Sequence, residues 1–267
     1  IILKIASYAN KNYNINNLCL AGGVALNCVA NSKILKKNLF EKIWIQPAAG
    51  DAGGSLGAAL NLWHNELKNN RIINKSDSMK GCYLGPKYEN ESIKKILIKE
   101  GAIFKYLNED EIINETVKFI NKGMVVGWFQ GRMEFGPRAL GNRSIIADPR
   151  SENMQKILKL KVKNRESFRP FAPSIIREDL NNWFDLNIDS PYMLLVANIK
   201  DEHKIKTSKK ENELYGFEKI NSKRSSVTAV THVDYSSRIQ TVHEKTNALY
   251  YKLISNFKRY SGCPMII

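Results

Sequence analysis

Three arginines, Arg132, Arg138 and Arg143, fall within GRMEFGPRALGNRS (131–144), among three glycines and a proline, with one carboxylate, Glu134, between the first two. The stretch follows the apolar run MVVGWF (124–129), which reads as a strand, and Pro137 cannot continue a ladder. Guanidinium groups held by glycines at a strand end suit an oxyanion clamp, because a planar fork of N–H donors matches phosphate and carboxylate geometry. Arg138 is the expected direct contact, Arg132 is expected to pair with Glu134 and shape the loop, and Arg143 suits either task. Downstream, KNRESFRPFAPS (163–174) sets Lys163, Arg165 and Arg169 beside Phe168 and Phe171, cations poised either for a ligand or for structural cation–π contacts.

Two glycine turns precede these loops. In LAGGVALNCVANSKI (20–34) a strand ends on Gly22-Gly23 and a helix begins near Asn27, so the backbone can approach a ligand and the helix start offers free N–H groups. In PAAGDAGGSLGAAL (47–60) the turn encloses Asp51, whose carboxylate suits a metal ion, a ribose hydroxyl or a helix cap, with Gly53 beside it. Turns of this kind at the ends of successive strands suit one nucleotide gripped from two sides. THVDYSSRIQTV (231–242) adds His232, Asp234 and Arg238; on a strand, His232 and Asp234 share a side, and a hydrogen-bonded strand end explains them better than a metal pair.

The elements that position these residues follow from periodicity. Helices are expected at about 1–12, 27–37 and 55–67, with strands at 17–22 and 42–47 between them, an α/β layer with a largely parallel sheet. Residues 68–92 lose periodicity and read as an inter-domain connection, giving units 1–90 and 91–267. Beyond it come a helix in SIKKILIKE, a strand in AIFKYL, a helix at 109–122, the strand 124–129, a helix near 151–162, a polar loop at 200–223, a strand from VTAVTHV, and a final strand in CPMII.

Composition narrows the class. A chain of 267 residues, 43% hydrophobic and 25% charged, buries a sizeable core. Its net charge of +15 suits a nucleic-acid binder or an enzyme of anionic substrates, yet the lysines are scattered among Asn and Ile as compositional bias scatters them. The four cysteines show no zinc or disulfide spacing, and no apolar run approaches the roughly 20 residues that span a bilayer, so a cytoplasmic setting without membrane is the default. The opening on Ile1 and the close on CPMII suggest a fragment.

Taken in order, LAGGVALNCVANSKI, PAAGDAGGSLGAAL, GWFQGRMEFGPRALGNRSIIADPR, FRPFAPS and THVDYSSRIQTV resemble the carbamoyltransferases of the nodulation and antibiotic-tailoring type. The resemblance implies the C-terminal part of an actin-like ATPase (Kae1-like) domain, similar to the one that completes threonylcarbamoyl transfer to tRNA, followed by a YrdC-like domain. It implies that carbamoyl phosphate and ATP give carbamoyladenylate and pyrophosphate, and that the carbamoyl group then passes to a hydroxyl of a sugar or natural-product acceptor. On this likeness Arg138, Lys163 and Arg169 hold carbamoyl phosphate and the ATP phosphates, and Gly22, Gly23, Asn27 and Gly53 contact the nucleotide. Asp51 is the carboxylate ligand of a divalent metal, iron by resemblance or magnesium. The family's paired histidines, HxxxH, do not occur in this chain and are expected upstream of Ile1. A homo-oligomer is compatible with the likeness. Two rival readings stay open: a nucleic-acid-binding relative of threonylcarbamoyl transfer, for which the basic residues lack interleaved aromatics, and an inactive scaffold paralogue.

Overall fold

The structure is a computed structural model that describes residues 1–74, 76–158, 171–206 and 213–267. Lys163, Arg165 and Arg169, expected in the site, lie outside the described residues.

The first sixty residues alternate as the sequence suggests. Helix α1 (Ile2–Tyr13) ends on Asn14 in the left-handed conformation, φ 47°, a residue type that tolerates it. Strand β1 (Asn17–Leu20) lies parallel to β2 (Lys42–Ile45), with Asn17 opposite Lys42 and Leu20 opposite Ile45. Between them α2 (Cys28–Lys36) is capped by the Asn27 side chain, which accepts from the Ala30 amide at 3.0 Å. Helix α3 (Ala52–Asn61) follows β2 and continues into a single wider turn, Leu62–Glu66. Ala6, Ile34 and Phe40 bury a small core between α1 and this pair of strands.

Helix α4 spans Asn90–Lys99, and α5 spans Glu109–Asn121. The start of α5 is fixed by a capping box, in which Asn108 Oδ1 accepts from the Glu111 amide and Glu111 Oε2 accepts from the Asn108 amide. Its buried Ile113, Val117 and Ile120 face the long helix α6 (Ala248–Ser261), which buries Tyr250, Leu253, Ile254 and Phe257. Both sets recur at the spacing of one helical face, and each large apolar side chain so buried stabilises by about 1.5–3 kcal/mol.

Antiparallel β3 (Val126–Phe129) and β4 (Arg143–Ile146) bracket the arginine loop, Phe129 pairing with Arg143. A mixed four-stranded sheet runs in the order β6 (Leu195–Asn198), β7 (Ser236–Val242), β5 (Ser174–Ile176), β8 (Met265–Ile266). In it β5 is parallel to β7 and antiparallel to β8, and β6 is antiparallel to β7. The molecule is therefore mixed α/β, with a parallel pair near the start and a mixed sheet later.

Two expected strands do not form. AIFKYL stays irregular with Ile103, Phe104 and Tyr106 exposed, because no strand among the described residues offers it a ladder. VTAVTHV, rich in β-branched residues, turns through a short 3₁₀ segment at Thr228–Val230 instead. The hydroxyls decide this: Thr228 Oγ1 donates to the Ser225 carbonyl at 2.7 Å and Thr231 Oγ1 to the Val227 carbonyl at 3.0 Å, local bonds that compete with a ladder. The described residues of the polar tract expected as a loop at 200–223 include a 3₁₀ turn at Asp201–His203 and a short helix at Gly216–Asn221. Of the helix expected near 151–162, one turn at Met154–Ile157 is described.

Burial separates the cysteines. It pushes the thiols of Cys82 and Cys263 up to about 12, with Asp77 and then Glu134 adding to the effect at Cys82. At pH 8 both remain thiols, and only the thiolate attacks an alkylating agent. Iodoacetamide at that pH is expected to label the exposed Cys19 and half-buried Cys28 in the native chain, with Cys82 and Cys263 labelled only in denaturant. Peptide mass spectrometry checks this, and early labelling of Cys263 would contradict the packing.

Candidate functional site

Glu134 organises the arginine loop from within. Buried in the loop's centre, its Oε1 accepts from the amides of Leu140 at 2.8 Å, Asn142 at 2.9 Å and Arg143 at 3.2 Å. The expected pairing of Arg132 with Glu134 does not occur. Arg132 instead donates to the Gly85 carbonyl at 3.1 Å, because the backbone amides have already claimed the carboxylate.

The stretch read as an inter-domain connection supplies a rail for this loop. Gly85 donates to the Met133 carbonyl and Met133 to the Pro86 carbonyl, both at 2.9 Å, and Phe135 donates to the Cys82 carbonyl at 2.7 Å. Gly141 has φ 104°, and a Cβ there would stand 2.4 Å from a Tyr250 ring carbon, so only glycine lets the loop pass over α6.

Arg143 proves structural. Its guanidinium lies 3.5 Å from the Phe129 ring centre and donates to the carbonyls of Gln130, Asn142 and Gly131. Both terminal nitrogens of its fork are engaged within the protein. Arg138 Nη2 donates to the Leu26 carbonyl at 3.3 Å, whereas its buried Nε has no hydrogen-bond partner. A buried N–H without a partner costs about 1–3 kcal/mol, and such groups in folded proteins call for an explanation.

Arg138 lines a cavity of about 580 Å³, together with Cys28 and Val29 of α2, Ser144, Ser174, Met193, His232, Arg238 and Tyr250. Its described lining holds two guanidinium groups and no carboxylate, an electrostatic setting suited to a multiply charged anion. Arg238 and His232 were visible in the sequence but unassigned. The available signal was the period of two in β7, which puts Ser236, Arg238 and Gln240 on one face; Gln240 Nε2 on that face donates to the Leu140 carbonyl of the arginine loop at 2.8 Å.

The expected strand end at His232 is a tight turn. The His232 amide donates to the Ser236 carbonyl at 2.8 Å, and the Tyr235 amide to the His232 carbonyl at 3.0 Å. Burial lowers the His232 imidazole's proton affinity; the Asp234 charge opposes this, while Arg238 and Arg224 add to it. Burial would raise the Asp234 carboxyl, but hydrogen bonds from the Ser236 hydroxyl and amide, together with the His232 charge, hold it below its ordinary value.

The first glycine turn reaches the same region. Gly22 and Gly23 are exposed at the end of β1, and the Arg138 contact with Leu26 brings the cation to the segment between that turn and Asn27. Asn27 is engaged as the α2 cap. Gly53 has a packing duty: a Cβ would stand 2.1 Å from the Ala48 carbonyl oxygen. Asp51 is exposed at the start of α3. Among the described residues no three His, Cys, Asp or Glu side chains gather where a metal could sit.

Helix α2 is locked onto the mixed sheet next to the cavity. Asn31 Nδ2 donates to the carbonyls of Ala25 at 2.8 Å and Leu194 at 3.1 Å, and Ser32 Oγ accepts from the Val196 amide at 2.7 Å. Among the described residues no helix is long and apolar enough to cross a membrane.

Comparison with known proteins identifies the family. Residues 117–267 match the family model of the carbamoyltransferase C-terminus, and residues 1–60 that of the carbamoyltransferase N-terminus. An uncharacterized protein of Synechocystis is 48% identical over the whole chain and 44% of its own length. The nodulation protein NolNO of Sinorhizobium fredii is 36% identical over the whole chain and 36% of its own length. A 3'-hydroxymethylcephem-O-carbamoyltransferase of Streptomyces clavuligerus is 30% identical over 93% of the chain and 41% of its own length. The chain thus spans under half the length of these relatives, and the match across both of its ends shows that it belongs to the carbamoyltransferase family.

Proposed function

We propose that the protein is an O-carbamoyltransferase that activates carbamoyl phosphate with ATP as carbamoyladenylate and passes the carbamoyl group to an acceptor hydroxyl. The observation that carries this reading is a cavity in a carbamoyltransferase chain lined by Arg138, whose buried Nε–H has no hydrogen-bond partner among the described residues. Atom balance fixes the overall first step: carbamoyl phosphate, ATP and water give carbamoyladenylate, pyrophosphate and phosphate. The second breaks the bond between the carbamoyl carbon and the AMP oxygen, forms an ester to the acceptor oxygen, and releases AMP and a proton.

In this reading Arg138 and Arg238 stabilise the negative charge that builds on phosphoryl and acyl oxygens, as preorganised donors in a site with little water. Lys163 and Arg169 complete the cationic set, Gly22, Gly23, Asn27 and Gly53 approach the nucleotide, and the two units 1–90 and 91–267 correspond to Kae1-like and YrdC-like domains. A relative that acts on a hydroxymethylcephem supports an acceptor of the sugar or natural-product class. The need for ATP and carbamoyl phosphate places the reaction in the cytoplasm.

The test supplies the complete protein with carbamoyl phosphate, ATP and a panel of hydroxylated acceptors. Pyrophosphate release dependent on carbamoyl phosphate, followed by acceptor-dependent AMP, is the expected result. Absence of both would end the proposal.

A further inference from the structure

The turn that carries His232 fixes which ring nitrogen bears the proton. Ser236 Oγ donates to Asp234 Oδ1 at 2.7 Å, and a hydroxyl has one proton to give. The contact of 3.0 Å between Ser236 Oγ and His232 Nδ1 must then be donated by Nδ1–H. In the neutral ring that burial favours, Nε2 carries the lone pair. It is buried and has no partner, while the residue lines the same cavity as Arg138. The turn holds the ring in place, since Arg224 Nη1 donates to the Thr231 carbonyl at 2.8 Å just before it.

Among the described residues, the cavity wall carries an unpartnered donor in Arg138 Nε–H and an unpartnered acceptor in His232 Nε2. Ionised phosphoryl groups and carboxylates offer acceptors only and can satisfy the first. A carbamoyl group also has an NH₂ donor, which phosphoryl groups and simple acyl groups lack. We infer that His232 Nε2 accepts a hydrogen bond from the carbamoyl NH₂ and so selects carbamoyl phosphate over acyl phosphates that have a carbon in that place. The assignment deepens the reaction proposed above and rests on carbamoyl phosphate being the ligand of this cavity.

Acetyl phosphate is the discriminating probe, since a methyl group replaces the NH₂. A site built around such a hydrogen bond rejects the analogue that lacks it. The complete protein, labelled with ¹⁵N-histidine, is titrated with carbamoyl phosphate and with acetyl phosphate. Carbamoyl phosphate is expected to move the His232 Nε2 resonance in the direction of an accepted hydrogen bond, and acetyl phosphate is expected not to. His232→Leu is expected to weaken carbamoyl phosphate about tenfold relative to acetyl phosphate, and His232→Gln, whose amide oxygen replaces the acceptor, to recover most of that selectivity. Equal weakening of both ligands in His232→Leu, or a resonance unmoved by carbamoyl phosphate, would overturn the assignment. If carbamoyl phosphate gives these signatures but the protein releases no pyrophosphate with ATP, the adenylation reading falls and the hydrogen bond stands.

Discussion

Arg138→Ala is expected to cut carbamoyl-phosphate-dependent pyrophosphate release roughly a hundredfold or more, the usual cost of removing one preorganised donor from a developing oxyanion. Stability should hold, because the one hydrogen bond of Arg138 among the described residues is a 3.3 Å bond to the Leu26 carbonyl at the cavity edge. A melting temperature within about 2 °C of wild type, measured beside the turnover, separates the two effects. Arg138→Lys should recover only part of the rate, since a single ammonium cannot reproduce the planar fork. Unchanged turnover in Arg138→Ala would show that the loop is scaffolding.

Glu134→Ala is expected to produce the opposite pattern, a large loss of stability. The substitution leaves the amides of Leu140, Asn142 and Arg143 without their common acceptor in a buried setting. Several buried donors lost together, each bond having been made to a charged group, sum to about 3–5 kcal/mol, or roughly 10 °C in melting temperature for a chain of this size. Glu134→Gln keeps an acceptor oxygen and should fall between. Thermal unfolding followed by circular dichroism checks both, and a Glu134→Ala melting curve superimposable on wild type would mean that the loop is held by its rail at Cys82–Pro86 alone.

These two residues mark where the sequence was informative. Glycine spacing and alternating strands and helices are local signals, and they led to the parallel pair β1 and β2 and to the helix α5. The partner of Glu134 was not local in the same sense. Its acceptor oxygen is used by three amides up to nine residues away, and that choice depends on a backbone path that Gly141 and Tyr250 settle together. The same holds for 82–86, which composition marks as a connection but which hydrogen-bonds along the loop it precedes. VTAVTHV misled because its threonines have both β-branching and hydroxyls, and once the hydroxyls find carbonyls nearby the strand preference loses. Arg238 needed the register of β7 before its proximity to Arg138 made sense. Lys163 and Arg169 rest on resemblance to the family.

The lock between α2 and the mixed sheet also bears on how the chain is made. Asn31 waits for the carbonyl of Leu194, 163 residues later in the chain. At about 5–20 residues per second of synthesis, that wait is roughly 10–30 s. During it Asn31 and Ser32 lack their distant partners, and the cavity wall contributed by Cys28 and Val29 has no opposite side. Helices α1 and α2 therefore emerge from the ribosome without the surface that completes them, and the cavity wall closes in stages, first as β6 meets α2 and then as β7 and the start of α6 bring Arg238 and Tyr250.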